Sequence, residues 1–333
     1  MRGCVFSDRV RQTISIGLRI TVSTILGICM VLGDSVDLEA QQKGQWTPGQ
    51  YGLNAGVIPD PGFTYTNTAL RYFADTLTDA NGNAISGVTG TDEFWHDENS
   101  ITFVPKAKFL GGYFAPYVSV SVANGSVVGD IAGLTTTDSG GVGLADTFVA
   151  PVYMGWRLER ADLSAGYAFT APTGRFTPGA SNNVGSGYWG NNILGGATVY
   201  LTESKGTSAN LFVDWEAHGK KSGTDITPGQ AVTAEWGFGQ VLPLDKQKKK
   251  LLQVGFVGYG QWQVSDNTGA TRLLPHYSVH ALGVQTNYVV PAHEVTLFFK
   301  YYDEISAKAR PRGRTFVFGG SWTRKSPDKS PTP

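Results

Sequence analysis

Ser208-Ala209-Asn210-Leu211-Phe212-Val213-Asp214-Trp215-Glu216-Ala217-His218 is the stretch that decides the fold class. Ala209, Leu211, Val213, Trp215 and Ala217 fall on one side of the chain, opposite Asn210, Asp214, Glu216 and His218. A period of two is that of a β-strand with one greasy face and one wet face. The same alternation recurs from residue 101 to residue 322, as in the run 101–109, where Lys106 and Lys108 take even positions between apolar odd ones.

Working outward, the pattern gives thirteen candidate strands: 51–58, 63–74, 100–110, 113–122, 146–158, 162–171, 188–203, 208–218, 231–242, 251–265, 277–290, one beginning near Glu294, and 314–324. In 146–158 the alternation sets Phe148, Ala150, Val152, Met154, Trp156 and Leu158 on one apolar face. A loss of parity near Ala281 and Leu282 reads as a β-bulge. Pro59-Asp60-Pro61-Gly62 and Gly111-Gly112 are turn signals. The polar stretches 75–98, 123–145 and 172–187 read as long loops, and they alternate with short turns.

The first 40 residues have a different character. Arg2, Arg9, Arg11 and Arg19 precede the apolar run 20–33, and Leu38-Glu39-Ala40 offers a small-residue exit. That order is a secretory signal peptide, and the run is shorter than the ~20 residues a helix needs to span a bilayer. Both cysteines, Cys4 and Cys29, fall inside it, which removes disulfides and thiolate metal sites from the exported chain.

Composition narrows the function classes. The net charge is zero, so no basic excess recruits nucleic acid. Charged residues are 16%, below the usual ~25%, and glycine is 43 of 333, which suits strands joined by turns. Strands behind a secretion signal fit an outer-membrane barrel, because only a closed barrel or a helix satisfies every backbone group in lipid. Bacterial barrels of this type have even strand numbers. The expected fold is therefore all-β, a transmembrane antiparallel up-and-down barrel of about twelve strands over 41–324. One of the first two candidate strands then lies outside the wall, residues 41–60 form a plug or lead-in, and 325–333 form a polar tail.

Face chemistry separates this from a soluble exported β-sandwich that binds a ligand. An Arg or Lys on the lipid face costs ~2–4 kcal/mol at the midplane. The apolar face of the clearest strands carries no charge. The opposite face carries Lys106, Lys108, Arg157, Asp214, Glu216, His218, Glu235 and Lys300, joined by Tyr113, Tyr117, Tyr153 and Tyr200. Facing inward, these residues would line a path for solute. Mixed signs argue against strong ion selectivity, and tyrosines offer amphipathic contacts to an aromatic solute. An outer-membrane hydrolase acting on lipid is the other alternative, but no Gly-x-Ser-x-Gly elbow is present. His276 and His280 read as solvated histidines rather than metal ligands. The chain is expected to be no enzyme and to use no metal and no cofactor.

Several motifs resemble an outer-membrane transporter family, the MetA-pathway of phenol degradation family. They are Trp46-Thr47-Pro48-Gly49 with Pro59-Asp60-Pro61-Gly62, then Gly141-Val142-Gly143-Leu144-Ala145-Asp146 followed by Pro151 and Gly155-Trp156. Ala171-Pro172-Thr173-Gly174, Gly187-Tyr188-Trp189 and Lys300-Tyr301-Tyr302-Asp303-Glu304 continue the series. The resemblance implies an outer-membrane channel for uptake of hydrophobic or aromatic small molecules, with membrane lipid and such a solute as its partners. It implies no particular site residues.

Overall fold

The computed structural model describes residues 44–131, 134–178, 180, 183–269 and 274–327. The leader at 1–40 and the end of the polar tail lie outside the described residues. Twelve long strands follow one another: β1 (Gly62–Leu77), β2 (Val88–Val104), β3 (Tyr117–Ile131), β4 (Thr147–Arg157), β5 (Ala161–Ala171), β6 (Gly190–Tyr200), β7 (Thr207–His218), β8 (Ala231–Pro243), β9 (Leu251–Gln263), β10 (Ser278–Val290), β11 (Val295–Lys308) and β12 (Pro311–Lys325). Each pairs antiparallel with its chain neighbours. Strand β12 returns to pair with β1 from Gly62↔Lys325 to Leu77↔Pro311, so the sheet closes on itself. Closure leaves no open edge, the condition for a sheet to sit in hydrocarbon.

The two ends of the barrel differ. At the end where β1 begins and β12 finishes, the strands are joined by 105–116, 158–160, 201–206, 244–250 and 291–294. The other end carries 78–87, 132–146, 172–189, 219–230 and 264–277, with only 309–310 short. The connection 105–116 holds a hairpin, Lys108–Phe109 against Gly112–Phe114. Leu110 (φ 49°) and Gly111 (φ 77°) make its two-residue turn, one residue earlier than the Gly111-Gly112 turn expected, and it closes this small hairpin rather than joining two long strands.

Several sequence expectations need correction. The segment 51–58 is no strand but a run of turns. The loop expected over 75–98 is strand from Val88 onward. Its outward side chains include Glu93, Asp97 and Asn99, whose polarity hides the alternation. Likewise β3 continues to Ile131 through the stretch 123–131 expected as loop.

Strand β4 is not one unbroken alternation. Its register against β5 skips between Val149↔Phe169 and Val152↔Tyr167, a bulge at Pro151, which has no N–H to give to a ladder. Phe148 and Ala150 therefore face the interior, and beyond the bulge Tyr153 and Arg157 do so. Strand β10 keeps its parity. The irregularity lies across from it in β11, where His280 pairs with Ser306, Ala281 with Glu304, and Ile305 is left over.

Elsewhere the alternation holds. Leu211, Trp215, Trp236, Phe238, Leu297 and Phe318 stand exposed on the outer surface, and Phe256 is 70% exposed. Asp214, Glu216, Thr233 and Glu235 on the inner face are fully buried. A soluble sandwich has the reverse arrangement.

Candidate functional site

Burial of the inner face has one cause: the chain before β1 runs inside the bore. A turn-rich segment carries backbone groups that need partners, and inward side chains of the wall supply them. Gln45 and Trp46 donate their N–H groups to Glu216 Oε2 at 2.7 and 3.0 Å. Tyr51 N–H reaches Glu235 Oε2 at 2.7 Å and Leu53 N–H reaches Gln285 Oε1 at 3.0 Å. Asn54 and Gly56 give theirs to Asn210 Oδ1 (2.9 Å) and Thr198 Oγ1 (3.0 Å).

The carbonyls are held as well. Lys300 Nζ donates to those of Gly49, Gln50 and Tyr51 at 3.0, 2.5 and 2.6 Å, and Gln261 Nε2 to that of Trp46 at 3.0 Å. Across the bore, Gln50 Nε2 reaches Glu98 of β2 (2.9 Å). At the short-turn end Arg157 of β4 donates to Asp60 Oδ1 (2.7 Å) and to the carbonyls of Ile58 and Pro59. The segment thus has the wall on all sides. It leads from Glu216 and Ser186, toward the long loops, down to Arg157 at the short-turn mouth.

Glycines make this path possible. Gly52 sits at φ 111°, and a Cβ there would lie 2.7 Å from Gln285 Oε1. On the wall, a Cβ at Gly196 would lie 2.2 Å from the Ala55 carbonyl oxygen. Asp60 closes the mouth with Arg157 and with Lys325 Nζ at 2.9 Å. Partial burial works to raise the Asp60 carboxyl, but the hydrogen bonds from Lys325 and Arg157 outweigh it and hold it below the ordinary carboxylate range.

An aromatic cluster occupies the middle. Trp46 is 8% exposed and Phe212 fully buried. Trp46 stacks on Phe212 (centroids 5.2 Å, 27°) and meets Phe148 edge-on at 5.7 Å. Tyr51 lies flat on Phe212 at 3.9 Å and 10°. Tyr117 stacks with Phe148 and meets Tyr153 edge-on. The indole Nε1–H of Trp46 donates to Glu235 Oε1 at 2.9 Å.

Most of the expected path residues come together here. Glu216, Glu235, Lys300 and Arg157 hold the segment directly, and Tyr113, Tyr117 and Tyr153 pack against the core around it. Asp214 accepts from Asn192 behind that layer. His218 contacts Glu216 (3.3 Å) and the Gly229 carbonyl toward the long loops. Tyr200 donates to Asp162 (2.6 Å) at the other end of β6. Lys106 and Lys108 take a different place: β2 ends at Val104, and both stand exposed in the connection that follows, Lys108 on its small hairpin and Lys106 donating to the Pro327 carbonyl. Strand parity carried past the end of a strand misplaces them.

Residues not singled out in the sequence matter as much. Phe212 is an apolar residue at an inward position of β7, visible as a break in the polar side of the alternation. Phe148 is concealed by the bulge. Glu304 and Arg310 pair at 3.2 Å in a second buried centre, where the hydroxyls of Tyr72 and Tyr259 donate to Glu304. The Lys300-Tyr301-Tyr302-Asp303-Glu304 motif therefore serves two inner clusters from one strand face. Asp146, which ends the motif begun at Gly141, accepts from Gly174 N–H and from Ser186, pinning the loop that also touches Gln45. Among the described residues no group of three or more His, Cys, Asp or Glu side chains is arranged to hold a metal ion.

Comparison with known proteins agrees with this architecture. The family model described as "Putative MetA-pathway of phenol degradation" matches residues 60–318. The crystal structure of the COG4313 outer membrane channel from Pseudomonas putida F1 has a similar fold, with a TM-score of 0.67 and 16% identity over 84% of this chain and 100% of that one. The β domain of the Bordetella autotransporter BrkA has a TM-score of 0.48 at 13% identity, over 80% of this chain and all of that one. No curated sequence matches the chain.

Proposed function

The chain belongs to the phenol-degradation family matched above and folds as an outer-membrane β-barrel; from that premise we propose that it is a channel admitting hydrophobic or aromatic small molecules, with residues 44–61 as a movable plug. The observation that carries this reading is the lining of the bore. An aromatic cluster sits at its centre, and the segment filling it is held by hydrogen bonds to side chains rather than by a backbone ladder. Such contacts break singly, so the segment can move while the wall stays intact. Short turns then face the periplasm and long loops the exterior.

Flux into protein-loaded liposomes tests it. Phenol and toluene are expected to equilibrate faster than into protein-free vesicles, while a monosaccharide does not. Equal rates with and without protein for the aromatic solutes would overturn the proposal.

A further inference from the structure

We infer that the cage around Trp46 and Tyr51 is a binding site for a flat aromatic molecule bearing one ring N–H or hydroxyl donor, and that these two side chains occupy it in that molecule's place. The inference rests on the transport reading for its natural occupant, and on geometry for the site itself.

The cage belongs to the wall. Phe212 of β7 lies between Asn210 and Asp214 on the inner face, the one large apolar side chain among the polar inward positions of that strand. Phe148 of β4 is turned inward by the Pro151 bulge. Tyr117 of β3 and Tyr153 of β4 complete the lining, Tyr117 stacking with Phe148 and meeting Tyr153 edge-on. A bore needed only to hold a peptide would be served by hydrogen-bonding side chains alone. Here the wall adds a planar slot, and Tyr51 lies in it at 3.9 Å from Phe212, the geometry of an offset-stacked pair.

Donor selectivity comes from Glu235. One of its oxygens takes the Trp46 indole N–H and the other the Tyr51 backbone N–H. A ring that takes the place of these two side chains shuts Glu235 away from water as they do, but the carboxylate has lost their two donors. Leaving such a group unpaired is costly, so a ring that brings its own donor is favoured over a bare hydrocarbon of the same shape. Segment and solute then exclude each other, and the contacts that recognise the solute are those that release the plug.

Indole and indene are the probes, since they share a shape and only indole donates an N–H. The full-length Trp46→Ala protein in detergent is expected to bind indole at least about tenfold more tightly than indene. In the unaltered protein, saturating indole is expected to speed amide hydrogen exchange at Gln45, Trp46, Tyr51, Leu53, Asn54 and Gly56, with β7 amides unchanged. Equal binding of the two probes, no binding by the variant, or unchanged exchange in the unaltered protein would each overturn the inference. If phenol crosses liposomes while neither probe binds, the transport reading survives and this site falls. If indole displaces the segment and no solute crosses, the site stands and transport falls.

Discussion

In the wall, β7 exchanges its backbone hydrogen bonds with β6 and β8 along its whole length. In the bore, the N–H groups of Gln45, Trp46, Tyr51, Leu53, Asn54 and Gly56 all go to side chains. Backbone ladders tolerate any residue that respects the two faces. The enclosed segment depends on individual partners, so one substitution in the wall can free it without opening the barrel. The wall is a structure of parity; the segment is a structure of addresses.

The sharpest way to break that contrast is Lys300→Met. Lys300 is buried and serves three carbonyls of the segment from one ammonium, and methionine offers them no donor. Leaving a buried acceptor without its partner costs about 1–3 kcal/mol. The expected result is a barrel that still shifts on a heat-modification gel, with the segment cleaved by added protease far faster than in the parent. Unchanged protease resistance would mean that the segment is not held by addresses.

Leu211→Arg probes the other side of the comparison, because Leu211 is outward in mid-strand. A cation on the lipid face costs ~2–4 kcal/mol near the midplane, read as a lower denaturant midpoint for folding into vesicles. The segment's protease resistance in whatever fraction folds should be unchanged. A neutral outcome would place this face away from hydrocarbon.

The smallest effect concerns the mouth. Asp60 is held below the ordinary carboxylate range, so its hold on Arg157 and Lys325 is complete above that range and fades as pH falls through its lowered value. Hydrogen exchange around residues 57–60 should rise on acidification, and the Asp60→Asn protein should lose that dependence. The group is part exposed, so added salt should weaken the effect.

This division also explains how much was legible beforehand. Strands β5, β7, β8 and β9 follow from alternation because one face meets lipid and the other a polar interior. The first part of β2, before Ser100, was hidden because Glu93, Asp97 and Asn99 stand on its outer face, where Asn67 donates to Asp97 at 2.6 Å. Phe148 was placed on the wrong face because a bulge inverts parity from within the strand, and no period of two reports an inserted residue. For the bore, the inward charges of β7, β8 and β11 were readable as a set. Their partners at 45–56 were not: hydrogen bonds from a turn-rich segment to residues more than 140 positions away leave no periodic trace.

Conductance across a planar bilayer compares the two regions most directly, using the refolded full chain and the same protein lacking residues 44–58. The full chain should sit closed or pass only a small current, and the shortened chain should show steady, larger steps with the same barrel stability. Identical conductance from the two proteins would contradict the claim that this segment fills the channel.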